Sequence, residues 1–273
     1  MMMVIVGGSW FRYPVACVAV TAAALLGISL TWPATGRADS CEDCHGNPQY
    51  FVQAPHINAY YRDWLGSPHK AAGVTCSRCH GGNPSAEEAS EAHVGVINPT
   101  EPASSLYYRR QPDTCGQCHR PNAEQFVTSR HFEALMGAEN APTCTTCHRS
   151  MSRRPYTRDI ISGACETCHG PGAEQANPDI IASAREILHR LGMAKAYLAW
   201  SLLHYQTLGW PGDSKARLEE FQAAYDASVD GIHRFDLPRS NEESIALLTE
   251  LRAFFDTAWE KLQSERDAAA GDG

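Results

Sequence analysis

Ten of the 11 cysteines in this chain fall into five copies of one pattern, Cys-x-x-Cys-His. The copies are Cys41/Cys44/His45, Cys76/Cys79/His80, Cys115/Cys118/His119, Cys144/Cys147/His148 and Cys165/Cys168/His169. Two thiols at this spacing can add to the two vinyl groups of one porphyrin. The adjacent histidine then falls beneath the iron as its proximal ligand, which makes the pattern the attachment signature of a c-type haem. Cys-x-x-Cys also serves redox disulfides and zinc sites. Neither gives a reason for a histidine after the second cysteine every time. The expectation is five covalently bound haem c groups, with the ten cysteines as thioether donors and His45, His80, His119, His148 and His169 as proximal iron ligands. The surrounding Gly, Pro and Asn predict that the motifs lie in loops.

The segment before the motifs sets the compartment. Tyr13 to Leu30 is apolar or small, Arg12 precedes it, and Gly36-Arg37-Ala38 offers small residues before a cut at Asp39. This is a secretory signal-peptide pattern over 1–38; an uncleaved anchor is the alternative, because the run is just long enough to span a bilayer. Cys17 sits inside the apolar run and is a poor lipoprotein site. The expected location is the periplasm, with a membrane anchor or the cell surface left open. Losing Arg12 and Arg37 leaves 21 basic and 31 acidic side chains, a net charge of −10 before any haem. Such acidity argues against nucleic-acid binding. It suits steering toward a basic redox partner, and equally suits simple solubility.

Two regions must position the motifs. Residues 39–175 are rich in Gly, Pro, Asn and His and poor in periodic apolar runs. They predict a region with little regular structure whose core is the haems themselves, since bound cofactor contributes folding free energy. Residues 176–273 contain no cysteine and read as helix. Asn177-Pro178-Asp179 is a start signal. Ile180, Ala184, Ile187, Leu188, Leu191, Leu198 and Leu202 follow at helical spacing. After the Gly209–Gly212 break, a second helix from about Ser214 carries Leu218, Phe221, Tyr225, Val229 and Ile232. After Pro238, Ser240 and Glu243 read as a capping box for a third helix with Leu248, Leu251, Phe255, Ala258 and Leu262. The fold class is mainly α: a haem-cored region followed by a C-terminal three-helix antiparallel bundle. The bundle either covers the haem region only or also makes a homo-oligomer or complex interface.

A short repeat points to common units. Trp64-Leu65-Gly66-Ser67-Pro68-His69 precedes the second motif, and Phe126-Val127-Thr128-Ser129-Arg130-His131 precedes the fourth. Each places an aromatic residue a few positions ahead of Ser-x-His.

Ser67-Pro68-His69 ahead of Cys76 to Pro84, then Ala92-His93-Val94-Gly95, resembles the multihaem cytochromes c of the cytochrome c-554, pentahaem nitrite reductase and hydroxylamine oxidoreductase group. Thr114 to His119, with Phe126 and Ser129-Arg130-His131 after it, resembles the same group over roughly residues 40–175. The resemblance implies haem attachment outside the cytoplasmic membrane, and distal iron ligation by His69, His93 and His131. The helical tail is similar, more weakly, to helices that pack between subunits in that group. All five motifs here end in His, whereas those nitrite reductases commonly hold the catalytic haem through Cys-x-x-Cys-Lys. The chain is also much shorter than those enzymes.

Seven histidines lie outside the motifs. Besides the three just named, His56 shares the haem region and is a candidate distal ligand. His189 and His204 on the first long helix are further candidates, 15 residues or about four turns apart. His233, near a helix end, reads as structural. The distal count decides function. Two axial histidines per iron give a low-spin centre suited to electron transfer, and an iron lacking the second has an open site for chemistry. Tyr107, Tyr108, Arg109 and Arg110 either bind an oxyanion at such a site or, the commoner role for arginines beside a haem, pair with haem propionates. The reading is a periplasmic pentahaem cytochrome passing electrons between redox proteins, quinol-oxidising or other cytochromes. The alternative is a small reductase or oxidase acting on nitrite, hydroxylamine or a related nitrogen or sulfur compound.

Overall fold

The structure, a computed structural model, describes residues 39–51, 55–137, 141–149, 158–207, 209, 210 and 212–271. The expected signal peptide or anchor, 1–38, lies outside these residues. Among those described, no helix is long and apolar enough to cross a membrane.

The chain is mainly helical, with fourteen α-helices, one 3-10 turn and no strand among the described residues. Eleven helices of at most 12 residues precede residue 176: α1 (Ser40–His45), α2 (Pro48–Phe51), α3 (Pro55–Leu65), α4 (Pro68–Ala71), α5 (Ser77–His80), α6 (Ala89–Ala92), α7 (Gln111–Gly116), α8 (Arg120–Phe126), α9 (Arg130–Gly137), α10 (Cys144–His148) and α11 (Arg158–His169). The sequence suggested little regular structure here, yet short helices carry the region. Proline supplies the reason, because it interrupts helices but is tolerated in a first turn, and it opens α4, α7 and α8. Gly81 at φ 75° ends α5, and an added Cβ there would lie 2.9 Å from the Gly95 carbonyl oxygen.

Three long helices follow: α12 (Pro178–His204), α13 (Ser214–Ile232) and α14 (Leu237–Gly271). Each packs on the other two. Arg190 of α12 donates to Asn241 and to Ser244 (3.0 Å) near the start of α14, while Trp200 meets Phe255 and Trp259 farther along. These two helices therefore run in the same direction. Arg234, just past the end of α13, meets Glu243, and Phe221 near its start meets Phe254, so α13 runs the opposite way. The shared core includes Ile187, Leu191, Leu198, Leu218, Phe221, Leu248 and Leu251.

The start of α14 differs from the sequence expectation. Ser240 and Glu243 do not form its cap, because the helix already begins at Leu237. The Asp236 carboxylate accepts from the Arg239 N–H (3.3 Å), and Pro238 sits in the first turn, where its missing N–H costs nothing. Glu243 instead binds Arg239 at 2.8 Å.

The long helices are joined to the first region. α11 packs on α12 and α8 on α13, so Ala38–Gly273 forms one compact unit. Apolar burial is uneven within it. Of the described residues before 176, only Trp64, Ala86, Phe126 and Leu135 are buried hydrophobics, against fourteen after it. Side chains alone give the first part little hydrophobic stabilisation.

Candidate functional site

Each motif is built on a helical turn rather than in a loop. Motif one fills α1, motif two runs into α5, motif three crosses the end of α7, motif four is α10, and motif five closes α11. In the second and third motifs the histidine N–H donates to the carbonyl of the first cysteine four residues earlier, at 3.0 Å (His80 to Cys76) and 2.8 Å (His119 to Cys115). Positions three and four apart share a helix face. One turn therefore brings both sulfurs and the imidazole to the same side. The ten described cysteines are free thiols.

Most of the shielded thiols are held protonated. Cys41 is pushed up to about 12 by burial, by its hydrogen bond with Asp39 and by that carboxylate's charge. Cys76 and Cys147 are pushed up to about 11, chiefly by burial. Burial also raises Cys79 and Cys165. Cys115 is raised and Cys144 lowered because Cys115 donates its S–H to the Cys144 sulfur. Protonated, burial-shielded thiols do not have the profile of nucleophilic or disulfide-exchange cysteines.

The other three cysteines differ in their surroundings. Cys44 and Cys118 are exposed, where the first cysteines of their motifs, Cys41 and Cys115, are half-buried. Position explains the difference. Cys44 is the last residue but one of α1, and Cys118 lies past the end of α7 at Gly116, so less of the chain covers them. Cys168 is half-buried on the last turn of α11, beside exposed Glu166 and Thr167. Its partner Cys165 sits one turn deeper, with its sulfur 4.0 Å from the Ile161 carbonyl oxygen. The second cysteine of motifs one, three and five thus stands at or just past a helix end, exposed in motifs one and three and half-buried in motif five.

Four of the five motif histidines stand opposite a second imidazole. Ring centres are 6.0 Å apart for His45 and His93, 6.1 Å for His119 and His69, 6.2 Å for His169 and His131, and 6.0 Å for His148 and His233. A metal–imidazole bond of about 2.0 Å on each side, with roughly 1 Å from nitrogen to ring centre, sets two axial ligands of one metal about 6 Å apart. The pairs have that separation. Among the described residues, no group of three or more His, Cys, Asp or Glu converges as a protein-only metal site would. Two opposed imidazoles leave the equatorial positions to another donor, and a porphyrin has four nitrogens in that plane.

The hydrogen bonds fix which ring nitrogen faces the gap. His93 Nδ1 donates to the Ala89 carbonyl (2.7 Å), His169 Nδ1 to that of Gln175 (3.0 Å), and His233 Nδ1 to that of Val229 (2.9 Å). A carbonyl can only accept, so Nδ1 carries a proton, and Nε2 is the nitrogen with the lone pair whenever the ring is neutral. Metal-bound histidines are commonly oriented in this way. Burial also holds His45, His131 and His148 below the ordinary histidine range, with the opposed imidazole as the next cause in each case. A neutral ring is the form that binds a metal.

The repeat seen in the sequence is a device for placing the opposed histidine. Ser67 Oγ donates to the Trp64 carbonyl (2.7 Å) and accepts from the Lys70 N–H (3.3 Å). Ser129 Oγ donates to the Phe126 carbonyl (2.6 Å) and accepts from the Phe132 N–H (3.1 Å). Both serines and both aromatic residues are buried. In each copy the serine joins one helix to the next, and the histidine two residues on lies in the first turn of the second helix. Each histidine meets a motif other than the one next after it. His69 precedes motif two and faces motif three; His131 precedes motif four and faces motif five.

His69, His93 and His131 are thus brought opposite motif histidines. His56, His189 and His204 are not: His56 is exposed on α3, His189 lies on α12, and the His204 ring lies against Trp200 at 4.9 Å. His233, read from the sequence as structural, is the histidine that stands opposite His148. The signal was its four-residue spacing from Val229 at the end of an amphipathic helix, but nothing local to His233 in the sequence points to motif four. Among the described residues, no imidazole stands opposite His80 at a comparable separation. The Tyr107 and Tyr108 rings lie 4.5 Å apart, tilted by 56°, and Arg109 lies over Tyr108 at 5.4 Å. The segment leading to them is tied to motif two, since Ser105 Oγ donates to the Cys79 carbonyl at 2.5 Å.

Successive motifs abut. Ser77 Oγ donates to Asp39 (3.5 Å) between motifs one and two. Ser105 joins motif two to Thr114 beside motif three, at 2.6 Å. Gln111 Oε1 accepts from both the N–H and the hydroxyl of Thr145, at 3.2 and 2.9 Å, between motifs three and four. Motifs four and five lie on α10 and α11, which pack together.

No family model, no curated protein and no solved structure matches the chain.

Proposed function

We propose that the chain is an exported pentahaem c-type cytochrome of the cytochrome c-554, nitrite reductase and hydroxylamine oxidoreductase kind, acting between redox proteins in the periplasm. The observation that carries this is the pairing of four motif histidines with a second imidazole at axial-ligand separation. The donors fit the group: five pairs of thiols on helical turns, neutral imidazoles, and Nδ1 protons directed away from the gap. Bound haem supplies a one-electron couple at each iron. The residues do the rest. The cysteines would tether the group, the paired histidines would hold its iron from both sides and exclude small ligands, and the hydrogen bonds between successive motifs hold neighbouring sites side by side. This favours a relay running from motif one to motif five. The finer architecture follows: a haem-cored region over 39–175, backed by an antiparallel three-helix bundle over 176–273.

The holoprotein is expected to exchange electrons rapidly with a basic redox protein and more slowly as salt rises, because its net charge, −10 after loss of residues 1–38, steers the encounter. Stopped-flow reduction over a range of ionic strength tests this. A rate independent of salt removes the steering, and no exchange with any cytochrome or quinol-oxidising partner removes the relay.

One observation favours a second reading. The unopposed His80 would leave an open site on its haem, suited to nitrite, hydroxylamine or a related small nitrogen or sulfur compound. Turnover of such a compound, lost in His80→Met but kept in His119→Met, would establish that reading.

A further inference from the structure

We propose that His233, at the end of α13, is the second axial ligand of the iron at motif four, so that the C-terminal helices are part of a haem site and not only its cover. The inference rests on the pentahaem reading and goes beyond it by bringing in a residue outside the motif region. His148 and His233 lie 6.0 Å apart with ring planes only 15° from parallel. The other three pairs are tilted by 85°, 77° and 54°.

The surroundings hold His233 in this pose. Its Nδ1 donates to the Val229 carbonyl at 2.9 Å, which leaves Nε2 for the metal. α13 is pinned to α8 on either side of it: Asn122 donates to Asp230 at 2.8 Å, and Arg234 donates to Gln125 at 3.0 Å. Two residues on, Phe235 adopts φ 57°, a left-handed conformation costly for a bulky side chain. Its ring packs edge-on against His131 at 4.2 Å. One turn past the end of α13 therefore places a histidine on motif four and an aromatic ring against the histidine facing motif five.

The angle gives a selective readout. Near-parallel axial imidazoles separate the iron d orbitals and give a rhombic low-spin EPR spectrum. Strongly crossed imidazoles leave two orbitals nearly degenerate and give a broad, highly anisotropic low-spin feature at lower field. The oxidised holoprotein should show one haem equivalent of the rhombic kind.

The test is quantitative EPR, with haem counted by pyridine haemochrome, on wild type, His233→Ala, His233→Met and His189→Ala. His233→Ala should lose the rhombic signal and gain one high-spin equivalent while keeping five haems. His233→Met, which retains a ligand should the alanine variant fail to fold, should move that one signal and add a sulfur-to-iron charge-transfer band. His189→Ala should match wild type. An unchanged rhombic signal in both His233 variants, or its loss in His189→Ala, overturns the inference alone. A wild-type chain that carries no haem overturns the pentahaem reading and this inference with it.

Discussion

Ser129 shows how a single hydroxyl sets the start of the helix that carries His131. It is 1% exposed, and it both donates to the Phe126 carbonyl and accepts from the Phe132 N–H. Removing it unlinks α8 from α9 one residue before Arg130 and two before His131. Ser129→Ala should cost about 1 kcal/mol of stability, the usual loss for a helix cap, and should broaden the low-spin signal of the motif-five haem while leaving the others. Thermal unfolding together with EPR checks both effects; a stability change without any spectral change would mean that the cap does not set the histidine. The donor set was legible at this scale. Cysteine spacing is a local pattern, so the ten thiols and five adjacent histidines of the proposed haem sites could be picked out without any tertiary knowledge. The unequal cover over Cys44, Cys118 and Cys168 could not, because it depends on where each motif falls along its helix. The opposed histidines were less legible too, because axial pairing joins residues such as His69 and His119 across fifty positions of chain. His69 and His131 stood out only because each carries the same aromatic and serine ahead of it.

At the scale of elements, the long helices were legible because their apolar residues recur every three or four positions. α12 and α13 begin at Pro178 and Ser214, as the pattern indicated. The start of α14 was not, since Asp236 acts as the cap ahead of a proline that looked like a breaker. Leu251 is fully buried where the three helices meet. Leu251→Ala should destabilise the protein by about 2–5 kcal/mol, since a cavity there cannot collapse easily. Differential scanning calorimetry of the holoprotein measures this. An effect well under 1 kcal/mol would mean that the shared core is loosely packed. The short helices were poorly legible, because a helix of four to eight residues presents too few apolar positions to show a period. Their form follows from proline starts, serine links and the motif turns.

Across the whole molecule, stability and function share their source. Among the described residues, the first part buries four hydrophobic side chains and the second fourteen. The helices after residue 176 therefore hold most of the hydrophobic core of the described residues, and the motif region adds little to it. Contacts of α8 with α13 and of α11 with α12 fuse the two. This fusion was not visible in the sequence, where residue 175 looked like a boundary because cysteines and haem motifs stop there. Composition changes at that point and packing does not. The most direct measurement of the central claim is low-temperature EPR of the fully oxidised holoprotein, quantified against its haem content. Five haems per chain, at least four of them low-spin, is the result this account predicts from the four opposed histidine pairs. A chain without covalent haem, or five haems that are all high-spin, would contradict it.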